Sequence, residues 1–291
     1  MIIWTYSKGG CHMSTIMNKK TNGFRFHIEK YDSAIEVVEK CNSRERTDSN
    51  FHDMKNHNIS NWHGVKSYEQ ALDYMKNGYQ PTVDSMRGIF KANRNGEGTR
   101  FSFQNQIQGF APVVPLALKG VPNCMVNMTM KPIKAKVIDI YYDMTASCSV
   151  DSDDIIKAGQ TLLGTVIEME RQGYRFNLYA VQSYTDSTSA DMLMVKIKNA
   201  SQPLDLKRIS FPLTHTAFFR VIGFDWYSKV PDGKYRCGYG CALTHSISRK
   251  KAEEYFKEMF GKNALYFSAK EIIGGGKDYV KREVECNDSK N

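Results

Sequence analysis

The spacing of apolar positions changes character twice along the chain. Residues 1–60 are polar with few periodic segments; 28–40 reads as a short helix and 42–61 as loop or weak structure. From Ser67 the pattern sharpens. Ser67 and Gln70 make a capping box ahead of the stripe Ala71, Leu72 and Met75, and Gly78 supplies the stop. Pro81 opens a second helix through Met86 and Phe90, which ends in the turn-rich run 93–98. Residues 100–130 read as extended. Pro112, Pro115, Gly120 and Pro122 exclude a long helix there and place tight turns between strands.

After Pro132 strands and helices alternate. Val137, Ile138, Ile140, Tyr141 and Tyr142 form a dense β-branched and aromatic run, the mark of a strand buried on both faces. Over 153–172, Ile155, Gly159, Leu162, Leu163, Val166 and Ile167 share one helical face, and Gly173 ends that helix before a strand over 175–181. A strand, helix and strand of this length predict a right-handed crossover in a parallel sheet. Further on, 192–198 reads as an edge strand. Residues 215–227 read as a helix with Phe218, Phe219, Ile222 and Trp226 on one side; 248–260 is a helix, and 265–273 returns to the sheet. The expected organisation is a smaller N-terminal α+β region over 1–131, with its first 60 residues irregular. An α/β domain with a mostly parallel sheet and flanking helices follows over 132–280, then a polar tail over 281–291.

Composition narrows the class. Hydrophobic residues at 41% and charged ones at 24% exclude a disordered chain. No apolar run approaches the roughly 20 residues that span a bilayer, and the first residues lack the pattern of a signal peptide. A cytosolic protein without membrane contact is expected. The seven cysteines are scattered and odd in number, which suits free thiols in a reducing compartment. A net charge of +9 keeps nucleic acid among the partners. However, the cations cluster only at Arg44 with Arg46 and at Arg249 to Lys251, and the second cluster opens an amphipathic helix with a solvated face.

The chemistry centres on Asp143-Met-Thr145-Ala-Ser147, at the carboxyl end of the first strand of the α/β domain, where open α/β sheets bind ligands. A carboxylate and two hydroxyls at alternate positions can turn three oxygens towards one hard cation such as Mg²⁺. The plainer alternative is that these side chains satisfy backbone groups in a tight strand-to-helix turn. The loop resembles the metal-ion-dependent adhesion site of von Willebrand factor A domains, Asp-x-Ser-x-Ser. Asp143 takes the place of the aspartate, Thr145 and Ser147 those of the serines. The resemblance implies a Rossmann-like fold and a metal held by the two hydroxyls, with the aspartate acting through water and a partner's carboxylate completing the coordination. It also implies a threonine from a later loop, for which Thr216 is the first candidate and Thr214 the next. A further aspartate has no convincing match; Asp232 and Glu271 are stand-ins.

A broader resemblance spans residues 62–227. It is carried by Trp62-His-Gly64, Gly109-Phe-Ala-Pro-Val-Val-Pro115, Gly120-Val-Pro-Asn-Cys-Met125, Tyr141-Tyr-Asp143-Met and Leu213-Thr-His215-Thr-Ala-Phe-Phe-Arg220. These segments are similar to proteins encoded by tailed bacteriophages. This implies a phage origin, residence in the cytoplasm of the infected host and a von Willebrand A-like core. Resemblance to such domains also implies work beside an AAA-type ATPase or in an assembled complex such as a phage assembly component.

Three other clusters have structural explanations. Cys237, Cys241 and His245 have a zinc-like spacing, but the glycines between them oppose a helix and a fourth ligand is missing. Asp151, Asp153 and Asp154 suit the start of a helix, with Lys157 one turn on. Gly274-Gly-Gly276-Lys277 lacks the spacing of a phosphate loop and reads as a flexible turn. The sequence therefore leads to a non-enzymatic phage protein that binds a protein partner, with Mg²⁺ at Asp143, Thr145, Ser147 and Thr216. The alternative is a nucleic-acid-associated protein or metal-dependent hydrolase acting during infection.

Overall fold

The computed structural model describes residues 2–4, 14–47, 55, 59–93, 99–132, 136–230 and 240–289. Strands β1 (Ile2–Trp4), β2 (Thr15–Thr21) and β3 (Phe24–Tyr31) come first, followed by helix α1 (Ala34–Asn42). The segment expected as one helix over 28–40 thus divides. Phe24, Phe26 and Ile28 alternate with His27, Glu29 and Tyr31 across a pleat, and Ser33 caps the helix only afterwards by accepting from the Glu36 N–H. Helices α2 (Tyr68–Asn77) and α3 (Gln80–Asn93) follow, the first capped by Ser67 as its capping box predicts.

Strands β4 (Thr99–Gln106) and β5 (Ala111–Pro112), the short helix α4 (Val114–Leu118) and strand β6 (Met125–Pro132) form a separate small sheet in the order β4-β6-β5. Then come β7 (Lys136–Asp143), α5 (Ser152–Arg171), β8 (Tyr174–Thr185) and β9 (Ser189–Lys198). Helix α6 (Leu206–Thr214) leads to a π-helical turn over Phe218–Gly223 and to α7 (Phe224–Tyr227). The chain closes with α8 (Leu243–Ser246), α9 (Arg249–Phe260), β10 (Ala264–Ser268) and α10 (Ala269–Ser289). Residues 269–273 belong to α10 and not to the sheet. The glycines 274–276 lie within α10 instead of forming a free turn, and the helix breaks at Gly276, whose φ is 61°.

The main sheet runs β1-β2-β3-β9-β8-β7-β10. Its pairings are parallel at β3/β9, β7/β8 and β7/β10 and antiparallel at β1/β2, β2/β3 and β8/β9. The expected β7–α5–β8 unit is present as two adjacent parallel strands. Two expectations are corrected by this order. Strand β9 is central, fully buried between β3 and β8, so it is no edge. And β3 pairs with β9, so strands β1 to β3 of the region read as N-terminal share one sheet with the α/β domain, while β4, β5 and β6 do not. Backbone hydrogen bonding, which the side-chain pattern does not encode, decides both points.

Alternation along the strands feeds two cores. Ile138, Ile140 and Tyr142 of β7 join Leu178, Leu193 and Phe267 beneath α1, α2, α3, α5, α6, α7 and α10. Tyr141 joins Phe26, Val181, Met192 and Tyr266 beneath α8 and α9. Phe218 and Trp226 are fully buried in the first core, as the apolar side of 215–227 predicts.

Candidate functional site

Asp143 ends β7 on the second-core face, where Tyr141 precedes it two residues earlier. Register sets Val181 of β8 and Ser268 of β10 beside it, so that Ser183, two residues on along β8, and Tyr266, two residues back along β10, share its face of the sheet. The carboxylate is fully buried. Its Oδ1 accepts the Thr145 N–H at 3.0 Å; its Oδ2 accepts the Tyr266 hydroxyl at 2.7 Å and the Ser183 hydroxyl. Ser183 also accepts the Leu243 N–H at 2.8 Å, which ties the first residue of α8 to the strand ends. Burial pushes the Asp143 carboxyl above the usual carboxylate range, against the opposing pull of the Ser183, Tyr266 and Thr145 hydrogen bonds. Burial pushes the Tyr266 phenol well above its ordinary value, and the Asp143 charge and its hydrogen bond to Asp143 push it in the same direction.

The sequence-predicted ligands are placed as follows. Thr145 is buried, and its hydroxyl accepts the Ser183 N–H at 2.9 Å. Ser147 is half-buried and takes a hydrogen bond from the Ser149 hydroxyl at 3.2 Å. Thr216 is fully buried, and its hydroxyl has no hydrogen-bond partner among the described residues. It sits against Gly64, where an added Cβ would come within 3.0 Å of it. Thr214, the second candidate, is engaged by the Ser210 carbonyl at 2.6 Å and Thr82 at 3.0 Å. Glu271 is drawn away: it accepts the Ser268 N–H at 3.0 Å and lies 3.5 Å from Arg249. Asp232 and Cys237 lie outside the described residues. Among the described residues no three His, Cys, Asp or Glu side chains converge as metal ligands. Asp143 and Thr145 share Ser183 as a partner, while Ser147 is engaged by Ser149 and the Thr216 hydroxyl faces Gly64. A cation bound directly by Asp143 does not fit, since both of its oxygens already accept hydrogen bonds.

The loop following Asp143 is clamped from one side. Arg220, in the π-helical turn, is fully buried, and among the described residues its hydrogen bonds go to two carbonyls and a hydroxyl and to no carboxylate. It donates to the Trp62 and Val150 carbonyls at 2.6 Å each and to the Ser152 hydroxyl at 3.1 Å, and its guanidinium lies 4.0 Å from the Trp62 ring centre. Burial lowers its pKa to about 10. The Trp62 indole in turn donates to the Cys148 carbonyl at 3.1 Å. His215 accepts the Ala217 N–H on Nδ1, and burial lowers its pKa to about 4, which keeps it neutral. Asp151 precedes α5 and Asp153 and Asp154 lie in its first turn, where the helix dipole favours them; Lys157 is 3.9 Å from Asp154.

A second surface was not singled out by the sequence. Among the described residues the small sheet β4-β6-β5 pairs only within itself, and none of its described side chains belongs to either core. Among the described residues ten large hydrophobic ones stand exposed, and seven of these lie on this arm. Phe103 faces Met128 across β4 and β6 and meets the Phe110 ring edge-on at 6.4 Å. The next positions are polar: Gln104 pairs with Asn127, which donates to Gln106 at 2.7 Å. Gly109 makes the turn that seats β5, since any Cβ there would lie 2.1 Å from the Val126 carbonyl oxygen. The alternation Phe101, Phe103 against Ser102, Gln104 was the available signal for a two-faced strand.

Fold and site together define a mixed α/β protein with helices on both faces of one sheet, a buried carboxylate hub at its strand ends and a separate apolar arm. The chain belongs to the family described as Domain of unknown function (DUF7192), whose model matches residues 16–273. No curated protein and no solved structure matches it.

Proposed function

We propose that this protein is a non-enzymatic binding module that docks a protein partner through the apolar arm formed by residues 99–132. The carrying observation is the exposure of Phe103, Ile107, Phe110 and Leu118 at 64, 72, 67 and 84%. Exposed apolar surface of this kind marks an interaction site in a protein whose other described aromatics are buried or half-buried. The body that carries the arm is read as von Willebrand A-like, because the oxygen-rich loop Asp143–Ser147 closes a β7–α5–β8 unit at its ligand-binding end. The likeness to phage-encoded proteins makes a phage assembly component or an AAA-type ATPase the class of partner, met in the cytoplasm of an infected bacterium.

Capture of the partner by full-length protein tests this reading. Phe103→Ser with Phe110→Ser is expected to abolish capture and leave the thermal midpoint in place; undiminished capture would refute the assignment. A second reading gives the same body a Mg²⁺ ion at Thr145, Ser147 and Thr216, with Asp143 acting through water. The unpartnered, buried Thr216 hydroxyl supports it. Calorimetric titration with Mg²⁺ should show binding that Thr216→Val removes, and no heat in the unaltered protein would dismiss it.

A further inference from the structure

We infer that the polar face of the β4/β6 ribbon binds double-stranded DNA along its major groove, independently of what covers the apolar face.

Strand register carries the inference. It sets Arg100, Ser102 and Gln104 of β4 opposite Lys131, Thr129 and Asn127 of β6. Alternation puts these six positions on one face of the ribbon and those of Phe103 and Met128 on the other. In cross-strand pairs the polar face therefore runs cation with cation, hydroxyl with hydroxyl and amide with amide. Gln104 is exposed and Asn127 half-buried, and neither belongs to a core. Like charges placed directly opposite each other cost stability until an anion offsets them. The arm has none to give: between Glu97 and Asp139 stand Arg100, Lys119, Lys131, Lys134 and Lys136 and no acidic residue, in a chain that carries 31. The complement is an anion from outside.

Width and chemistry select duplex DNA. Strand β5 meets β6 at Val126 and Met125, so among the described residues the ribbon is two strands wide from Asn127 onward. The major groove of B-DNA, about 12 Å wide, admits a two-stranded ribbon, and its base edges pair with amides and hydroxyls while cations take the bordering phosphates. The major groove of duplex RNA is too deep and narrow for side chains to read. Single strands are held by stacking on aromatic rings, and here Phe103 lies on the opposite face.

Fluorescence anisotropy of a labelled random-sequence DNA duplex, titrated with full-length protein across a salt series, tests the inference. Binding should weaken linearly with the logarithm of salt concentration. Arg100→Ser with Lys131→Ser should weaken it roughly tenfold at low salt and reduce the salt slope by about two, without lowering the thermal midpoint. Lys250→Ser with Lys251→Ser, which removes two exposed cations of α9, controls for the overall charge of +9 and should leave the slope in place. In the unaltered protein, added duplex should slow amide exchange in β4 and β6. Absence of duplex binding, an equal loss from the α9 pair, or exchange in β4 and β6 indifferent to DNA overturns the inference. Tighter binding of a single strand than of the duplex, or equal displacement of the duplex by polyglutamate, overturns it as well.

Discussion

Tyr266 on β10 donates its phenolic hydrogen to Asp143 Oδ2 on β7 across 2.7 Å, and the same oxygen takes the Ser183 hydroxyl from β8. Three parallel neighbouring strands are therefore joined through one side chain at the carboxyl end of β7. Removing the acceptor strands two hydroxyls and the Thr145 N–H in the interior. Asp143→Ala should cost about 3–5 kcal/mol in urea unfolding, the scale expected when several buried donors lose their partner. A cost under 1 kcal/mol would show the hub to be structurally idle.

The same carboxylate sets a pH dependence. Burial raises its folded pKa above the unfolded value, so the native state holds the proton more tightly. The contribution to stability is fully present below the unfolded value and declines as pH rises through the folded one. Asp143→Asn, which does not titrate, should flatten that decline in a series of unfolding curves. Parallel curves for the two proteins would place the titration elsewhere.

Glu29 on β3 works in the opposite direction. Burial alone would raise its pKa, but hydrogen bonds from His27, Arg44 and Tyr31 and the Arg44 charge outweigh it and hold the pKa at about 2. The Arg44 guanidinium and the Trp226 indole each donate to its Oε2 at 2.9 Å. A shift from 4.5 to about 2 corresponds to about 3 kcal/mol, present above the ordinary carboxylate range and lost as pH falls towards 2. Glu29→Gln should lose about that much at neutral pH and nearly nothing near pH 2, where the wild-type side chain is itself protonated.

Gly159 in α5 offers a test of packing against propensity. Alanine is the better helix former by about 1 kcal/mol. Yet a Cβ at this position would lie 2.4 Å from the Leu213 carbonyl oxygen of α6, backbone that cannot swing aside. Gly159→Ala should therefore destabilise by about 1–3 kcal/mol by calorimetry. A rise in the thermal midpoint would mean that α5 and α6 separate freely.

Arg220 holds the loop after Asp143 through two carbonyls and a stacked indole. Lysine keeps the charge but loses the planar fork, so Arg220→Lys should cost about 2–3 kcal/mol. Amide exchange should quicken selectively over 144–151, and exchange confined to the arm would contradict the clamp.

Much of the fold could be read before any coordinates. The β7–α5–β8 unit, the Ser67 cap of α2 and the buried face of Phe218 and Trp226 follow from periodicity and capping, which are local and written in consecutive residues. The loop Asp143–Ser147 was legible as a candidate for the same reason. Its wiring was not, because Ser183 and Tyr266 lie 40 and 123 residues from Asp143 and carry no local signature. An apolar run shows that β9 is buried without naming its neighbours, so only hydrogen-bond register could place it between β8 and β3. Nor does a pattern of alternating Phe and Gln tell whether its apolar side finds a core. Local pattern set most of the helices and the inner faces of the strands, while long-range packing chose which faces met. It left the one containing Phe103 uncovered, because the turn at Gly109 and the short β5 fold that strand back on its own hairpin instead of onto the main sheet.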